Sequence, residues 1–230
     1  MTKWFRDIRK LAEGRIFLLD VEGDGGPDGG TPVETSFIEV EDGRFVAEHK
    51  WLTDPGVPIH ASATWVHGIS DDMVAGSPRM EDVAAEIADL VRGQTVVGLA
   101  IENDLKMLRK KVPGIDFVIG RAVDVARISY LAPSGRKNMG LDNLCEDLGV
   151  DMSPELLPFV ERGRRHGASA DAWLTGRCFF ALIERIRGAE DRVAKDASIR
   201  GFLQMPPSRE KILRQELEDL GIPVPEGRLP

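Results

Sequence analysis

The chain has 230 residues, of which 42% are hydrophobic and 30% are charged; this balance excludes a wholly disordered protein and predicts one domain, with room for an appendage. Its 30 basic and 38 acidic residues give a net charge of −8, which argues against a protein that coats nucleic acid through a broad basic face. No apolar run approaches the roughly 20 residues of a membrane span, and the charges scattered through the first ten residues do not fit a secretion signal.

The first part of the chain predicts a three-stranded antiparallel meander. Residues 15–22 form a short apolar run that ends in two acids, which is typical of a strand. Residues 33–41 and 44–52 are rich in Val, Phe, Ile and Trp, and the Asp42-Gly43 pair between them predicts a hairpin turn. Residues 53–77 contain several prolines and glycines and are predicted to be a loop.

Helices and strands alternate in the second part. A helix is predicted after Ser77, with Ser77 as its N-cap, Pro78 at its first position and Gly93 at its end. Apolar patterns predict the remaining elements, namely strands over 95–100 and 115–119, short helices near 103–111, 124–131 and 140–148, and a long helix from about 167 to 187. This order of elements predicts an α/β protein with a mixed sheet flanked by helices.

The composition changes after Gly188, where a polar stretch leads to a final helix from Ser208 to Leu220. The apolar face of that helix is expected to pack on the body of the protein or on a second subunit; its members are Ile212, Leu213, Leu217 and Leu220. We therefore divide the chain into a domain of residues 1–187 and an appendage of residues 188–230.

Asp20 and Glu22, which end the first strand, are the first candidates for chemistry. Residues i and i+2 of a strand point to the same side, and a divalent cation would relieve the repulsion between two such carboxylates. The alternative is a strand that simply ends in solvated acids. A calcium loop is disfavoured, because its twelfth position would be Thr31 and a strand precedes it where a helix should be.

Three further candidates come later in the chain. Asp104 follows the strand 95–100 at the start of a short helix, where a capping role would also explain an acid. Asp171 is placed on the first turns of the long helix among small residues, which would leave room for an ion and a substrate backbone. His166 comes just before that helix. Taken singly, Asp104 is better explained as a helix cap, and Asp171 and His166 are better explained as exposed polar residues.

Taken in order, these residues resemble the DEDDh family of 3′–5′ exonucleases, which includes the DNA polymerase III proofreading (epsilon) subunit, RNase T and oligoribonuclease. The resemblance covers roughly residues 14–187. Its segments are Phe17-Leu18-Leu19-Asp20-Val21-Glu22, the Pro-rich loop from Asp54 to the His67-Gly68-Ile69 turn and Val74, Val96-Val97-Gly98 with Asp104 and Leu108, Leu141 to Cys145 with Leu148-Gly149-Val150, and His166-Gly167-Ala168 to Asp171-Ala172.

This resemblance implies an α/β fold of the RNase H-like type and a metal-dependent 3′–5′ exonuclease that releases nucleoside 5′-monophosphates. It implies that Asp20, Glu22, Asp104 and Asp171 hold two divalent ions, Mg²⁺ or Mn²⁺. It also implies that His166 is the general base that takes the proton from the attacking water. Residues 1–187 would then be the exonuclease domain.

The sequence departs from the family pattern near the expected substrate. The family usually follows its Asp-x-Glu with Thr-Thr-Gly, where this chain has Gly23-Asp24-Gly25, and it carries His-Asn and Phe where this chain has Leu99, Ala100 and Asn103. The expected substrate-binding residues are Gly23, Asp24, Trp65, His67 and Asn103. Trp65 is placed in a loop, where it could stack on a base. For His67 the sequence by itself favours a structural or exposed histidine. The basic residues at 106–111 could hold phosphates or form a solvated helix face.

The expected substrates are single-stranded or frayed 3′ ends of nucleic acid, with DNA slightly favoured over RNA. Processing of RNA 3′ ends and a catalytically impaired, nuclease-derived binding module remain as alternatives. The expected protein partners are a second copy of the chain or a polymerase or repair protein, and no membrane is involved. Because Cys145 and Cys178 are too few for a disulfide framework, a reducing cytoplasm is expected.

Overall fold

The fold is built on a mixed β-sheet. The computed structural model describes residues 10–129, 140–153 and 167–193, without the side chains of residues 28, 117 and 186–193. Within these residues the sheet has five strands in the order β3-β2-β1-β4-β5. The strands are β1 (Arg15–Gly23), β2 (Pro32–Glu41), β3 (Arg44–Leu52), β4 (Thr95–Gly98) and β5 (Arg121–Asp124). The first three are antiparallel, whereas β4 runs parallel to β1 and β5 parallel to β4.

The hairpin between β2 and β3 forms where the sequence predicts it. Asp42 and Gly43 both have positive φ, 49° and 77°, which is the backbone of a type I′ turn. That turn matches the twist of the two flanking strands, and Glu41 pairs with Arg44 across it. The predicted meander is therefore confirmed.

Helices cover both faces of the sheet. They are α1 (Ala61–His67), α2 (Asp71–Val74), α3 (Met80–Leu90), α4 (Glu102–Arg109), α5 (Ile115–Val118), α6 (Val125–Ile128), α7 (Leu141–Leu148) and α8 (Ala168–Val193). Along β1, Ile16 and Leu18 pack in one apolar cluster with α7 and α8, whereas Phe17 and Leu19 pack in a second cluster with α3 and α4. β1 is thus the central strand, and its even-numbered residues face α8.

Two sequence predictions are wrong. Residues 115–119 were predicted as a strand, but Ile115–Val118 is a helical turn, and the strand follows at Arg121–Asp124. Residues 53–77 were predicted as a loop, but they contain α1 and α2. Those two helices are stabilised by a small apolar cluster that long-range contacts create, formed by Val33, Ile59, Ile69 and Val74.

The ends of two helices also differ from the predictions. Ser77 is not an N-cap, because α3 begins at Met80, where the backbone N–H of Arg79 donates to Asp82 over 2.9 Å. Helix α8 continues through Gly188 to Val193, since one glycine costs a helix only about 1 kcal/mol. Residues 194–230 lie outside the described residues, and so does the predicted final helix.

No helix within the described parts of the chain is both long enough and apolar enough to cross a membrane.

Candidate active site

The carboxyl end of β1 brings together carboxylates from different parts of the chain. Asp20 and Glu22 continue the even-numbered face of β1 and therefore point toward α8. Asp171 lies in the first turn of α8, where its N–H donates to the carbonyl of Gly167. One carboxylate oxygen from each of Asp20, Glu22 and Asp171 lies within 4.8 Å of the others.

Asp104 reaches the same strand end from the opposite face of the sheet. β4 pairs with β1 only from Ile16 to Leu18, so β1 extends beyond the end of its parallel neighbour. The N–H of Val21 lies in that extension and donates to Oδ1 of Asp104 over 3.1 Å. Asp104 is 6% exposed and lies in the first turn of α4. The structure thus groups Asp20, Glu22 and Asp171 within 4.8 Å of one another. Asp104 lies at the same strand end outside that group, near enough for its charge to raise the pKa of Asp20.

Burial and the neighbouring negative charges raise the pKa values of Asp20 and Asp104. Burial raises the pKa of Asp104 to about 8, although the hydrogen bond from Val21 opposes the shift. Burial also raises the pKa of Asp20 well above its usual value, and the neighbouring charges of Asp104, Glu22, Asp171 and Glu34 add to the rise. A bound divalent cation would offset these charges, and a set of carboxylate oxygens suits a hard cation such as Mg²⁺ or Mn²⁺.

The glycine-rich loop after β1 is ordered by its own hydrogen bonds. Asp24 is 3% exposed; its carboxylate accepts the N–H of Gly26 over 2.7 Å, and its carbonyl accepts the N–H of His60 over 2.8 Å. A Cβ on Gly30 would lie 1.7 Å from Oδ1 of Asp24, so that position requires glycine. The loop forms one wall of an open cleft of about 530 Å³, which Pro58, His60 and Lys110 also line.

Of the predicted substrate-binding residues, two are buried and two are exposed on helices. His67 is buried, and its Nδ1 accepts the N–H of Ile69 over 3.1 Å; Nε2 therefore carries the proton that it donates to the carbonyl of Gly23, 3.2 Å away. Asp24 is buried next to Gly23 in the loop. Trp65 is 80% exposed and lies on helix α1, not in the predicted loop, and Asn103 is exposed on α4.

The basic residues at 106–111 are mostly held in structural contacts. Arg109 forms ion pairs with both Glu102 and Asp116, and Lys111 pairs with Glu81 over 2.7 Å. Lys110 donates to the carbonyl of Gly30 over 3.1 Å and so supports the glycine-rich loop. These contacts favour the interpretation as a helix surface over that as a phosphate site.

Sequence reasoning missed two acids that support the site, the partly buried Asp124 and the buried Glu34. Asp124 ends β5, and its Oδ1 accepts the N–H groups of Ala100 and Ala126, each over 2.9 Å. It thereby holds the turn that leads to α4, in which Ala100 has a positive φ of 51°. Glu34 on β2 accepts the N–H of Ala168 over 2.9 Å. Glu34 could have been found from the sequence as a charged residue at an inward position of an apolar strand.

His166, the predicted general base, lies outside the described residues. It precedes Gly167, whose carbonyl accepts the N–H of Asp171 over 3.1 Å. Its place in the chain is therefore next to the first turn of α8.

Comparison with known proteins shows what this chain is similar to. A family model described as an exonuclease, RNase_T, matches residues 28–179, about two thirds of the chain. The DNA polymerase III subunit epsilon-like protein of Rhodobacter capsulatus is 28% identical over 169 residues, which span 70% of this chain and only 22% of that protein. The DNA polymerase III subunit epsilon of Buchnera aphidicola subsp. Schizaphis graminum is 28% identical over 184 residues, 73% of this chain and 74% of that protein.

Among solved structures, Exonuclease X in complex with 5′ overhanging duplex DNA superimposes with a TM-score of 0.57 at 23% identity, over 76% of this chain and 92% of that one. This likeness confirms the predicted α/β fold of the RNase H-like type.

Proposed function

The chain belongs to the exonuclease family of hydrolases, and on that premise we propose that it is a metal-dependent 3′–5′ exonuclease that removes nucleoside 5′-monophosphates from DNA ends. The observation that carries the proposal is the convergence of Asp20, Glu22, Asp104 and Asp171 at the carboxyl end of β1. Asp20 and Asp104 have raised pKa values, and buried acids perturbed in this way are concentrated at functional sites.

Each carboxylate has a defined means of support in the proposed reaction. Asp20 and Glu22 are held by β1, Asp171 by the first turn of α8, and Asp104 by the N–H of Val21. Two Mg²⁺ or Mn²⁺ ions, once bound, would supply an activated water and offset charge at the scissile phosphate. His166 would accept the proton of the attacking water, which is the role that the family pattern gives it.

The substrate strand would end beside the glycine-rich loop. The bond from His67 to the carbonyl of Gly23 fixes the start of this loop next to Glu22, so Gly23, Asp24 and His67 would shape the pocket for the terminal nucleotide. Trp65 is exposed enough to stack on a base of a single strand, and Asn103 lies one residue before Asp104. Because two relatives are named as DNA polymerase III epsilon or epsilon-like proteins, we propose a DNA substrate and a polymerase partner.

Strand polarity and sugar preference test this function directly. Single-stranded DNA and RNA of one sequence, labelled at the 5′ end, are incubated with Mg²⁺ or Mn²⁺. We expect the labelled strand to shorten stepwise, DNA to be degraded faster than RNA, and a block at the 3′ end, but not at the 5′ end, to stop the reaction. Internal cleavage or shortening from the 5′ end would contradict the proposal, and faster RNA degradation would contradict the DNA assignment.

The same assay tests the proposed base. His166→Asn can still cap a helix but cannot accept the proton, so turnover should fall by about 10²–10⁴-fold. Near-normal turnover in this variant would remove His166 from the mechanism.

A further inference from the structure

Glu34 is a buried carboxylate that lies beside the metal-site acids without belonging to their cluster. It is 2% exposed on β2, and its Cα is paired with that of Glu22 across the two antiparallel strands. Like charges directly opposite each other in a sheet are destabilising. The negative charge of Glu34 also contributes to the raised pKa of Asp20. Its presence here therefore calls for a compensating role.

The contact between Glu34 and α8 indicates such a role. Oε2 of Glu34 accepts the N–H of Ala168, the first residue of the helix, over 2.9 Å in a buried setting. Two residues further along β2, the hydroxyl of Ser169 donates to the hydroxyl of Ser36 over 2.9 Å. Both contacts join β2 to the first turn of the helix that carries Asp171.

The pairing of β1 with β2 explains why this junction matters to the site. Glu34 is paired with Glu22, and Ser36 with Asp20, so the first turn of α8 is attached directly beside the two β1 acids. Any shift of that turn would move Asp171 relative to Asp20 and Glu22, whose oxygens now lie within 4.8 Å of its own.

We propose that Glu34 is a positioning residue for the metal site: its carboxylate fixes the first turn of α8 on β2 and thereby sets the place of Asp171 against Asp20 and Glu22. The inference rests on the proposed function. Replacing a residue that does not bind the metal but orients its ligands commonly lowers metal affinity by about 10–100-fold.

Two conservative variants distinguish the effect of the length of the Glu34 side chain from the effect of its charge. Glu34→Asp keeps the charge but withdraws the acceptor by one methylene group, whereas Glu34→Gln keeps an acceptor oxygen at full length and removes the charge. Titration calorimetry with Mn²⁺ on the purified full chain measures affinity without catalysis. We expect E34D to weaken Mn²⁺ binding by about tenfold or more and E34Q to weaken it less.

Glu39 provides a matched control on the same strand. Its side chain is 12% exposed and forms ion pairs with Arg15 over 2.8 Å and with His49 over 3.0 Å, away from the four acids. Glu39→Asp should lower the melting temperature of the metal-free protein and leave Mn²⁺ affinity unchanged.

The outcomes separate the two claims. Mn²⁺ affinity unchanged in E34D, whatever its melting temperature, would leave Glu34 a purely structural residue and overturn the inference. Weaker binding in E34Q than in E34D would also overturn it, because charge would then matter more than reach. A wild-type protein that binds no Mn²⁺ would overturn the proposed function as well.

Discussion

Asp104 is a buried acid whose protonation is coupled to the stability of the fold. Its carboxyl is buried against β1 and accepts the N–H of Val21, yet burial outweighs that bond and raises its pKa from 3.8 to about 8. The folded protein therefore holds this proton more tightly than the unfolded chain does. The stability that the protonated group contributes is fully present below about pH 4 and is lost as the pH rises to about 8.

The first prediction follows from this linkage. In EDTA, the melting temperature of the wild-type protein should contain a component that falls between pH 5 and pH 8, and Asp104→Asn, which cannot titrate, should show a shallower fall. Part of the fall remains in the variant because Asp20 also has a raised pKa. Scanning fluorimetry across this range measures both slopes, with the exposed Asp89→Asn as control. Identical slopes for D104N and wild type would show that Asp104 does not titrate as its burial implies.

Individual residues of the site were predictable to different degrees. The i, i+2 spacing of Asp20 and Glu22 placed them on one side of a strand, and the order of motifs identified Asp104 and Asp171. Glu34 was not found, because its partner Ala168 lies 134 residues away and local spacing carries no information about that contact. The buried state of His67 and Asp24 likewise depends on tertiary contacts.

At the scale of elements, the strands of the meander were predictable and the short helices were not. An apolar run of five residues such as 115–119 is consistent with either a strand or a helical turn, and only packing decides between them. Gly114, with a φ of 73°, precedes the turn, and Ile115 is fully buried in the cluster that holds α3 and α4. Helix α1 also depends on packing, because its residue Ala63 packs against an apolar cluster that includes Val33 of the distant strand β2.

The second prediction concerns the contact between α8 and β1. A Cβ on Gly176 would clash with Cδ1 of Leu18, which is fully buried. Gly176→Ala should therefore destabilise the protein by about 1–3 kcal/mol through overpacking, although alanine favours a helix by about 1 kcal/mol. Denaturant unfolding measures the change, with the exposed neighbour Arg177→Ala as control. A stabilised G176A would show that α8 is not seated on β1 this closely.

At the scale of the whole molecule, we propose that residues 1–187 are the exonuclease domain and that residues 188–230 form an appendage that does not contact the substrate. The described helix α8 continues to Val193, so a truncation that respects the fold must be placed after that residue. The predicted apolar face of residues 208–220 could pack against the body of the protein or against a second copy of the chain.

The third prediction is the outcome of that truncation. A chain ending at Val193 should have an altered melting temperature or, by light scattering, an altered number of subunits, and its turnover on a mononucleotide ester should be affected less. If the truncated chain keeps its melting temperature and its number of subunits but loses binding to DNA, the appendage is a substrate-binding arm instead.

One titration measures whether the four acids at the carboxyl end of β1 form the metal site of a 3′–5′ exonuclease. The initial rate of shortening of a 5′-labelled DNA strand is measured against Mn²⁺ concentration for the wild type, Asp20→Asn and Asp171→Asn. The wild-type rate should rise with Mn²⁺ to a plateau, disappear in EDTA and return when Mn²⁺ is restored, while both variants stay at background with an intact fold by circular dichroism. Undiminished wild-type activity in EDTA, or wild-type rates in either folded variant, would show that these acids do not form the metal site of the reaction.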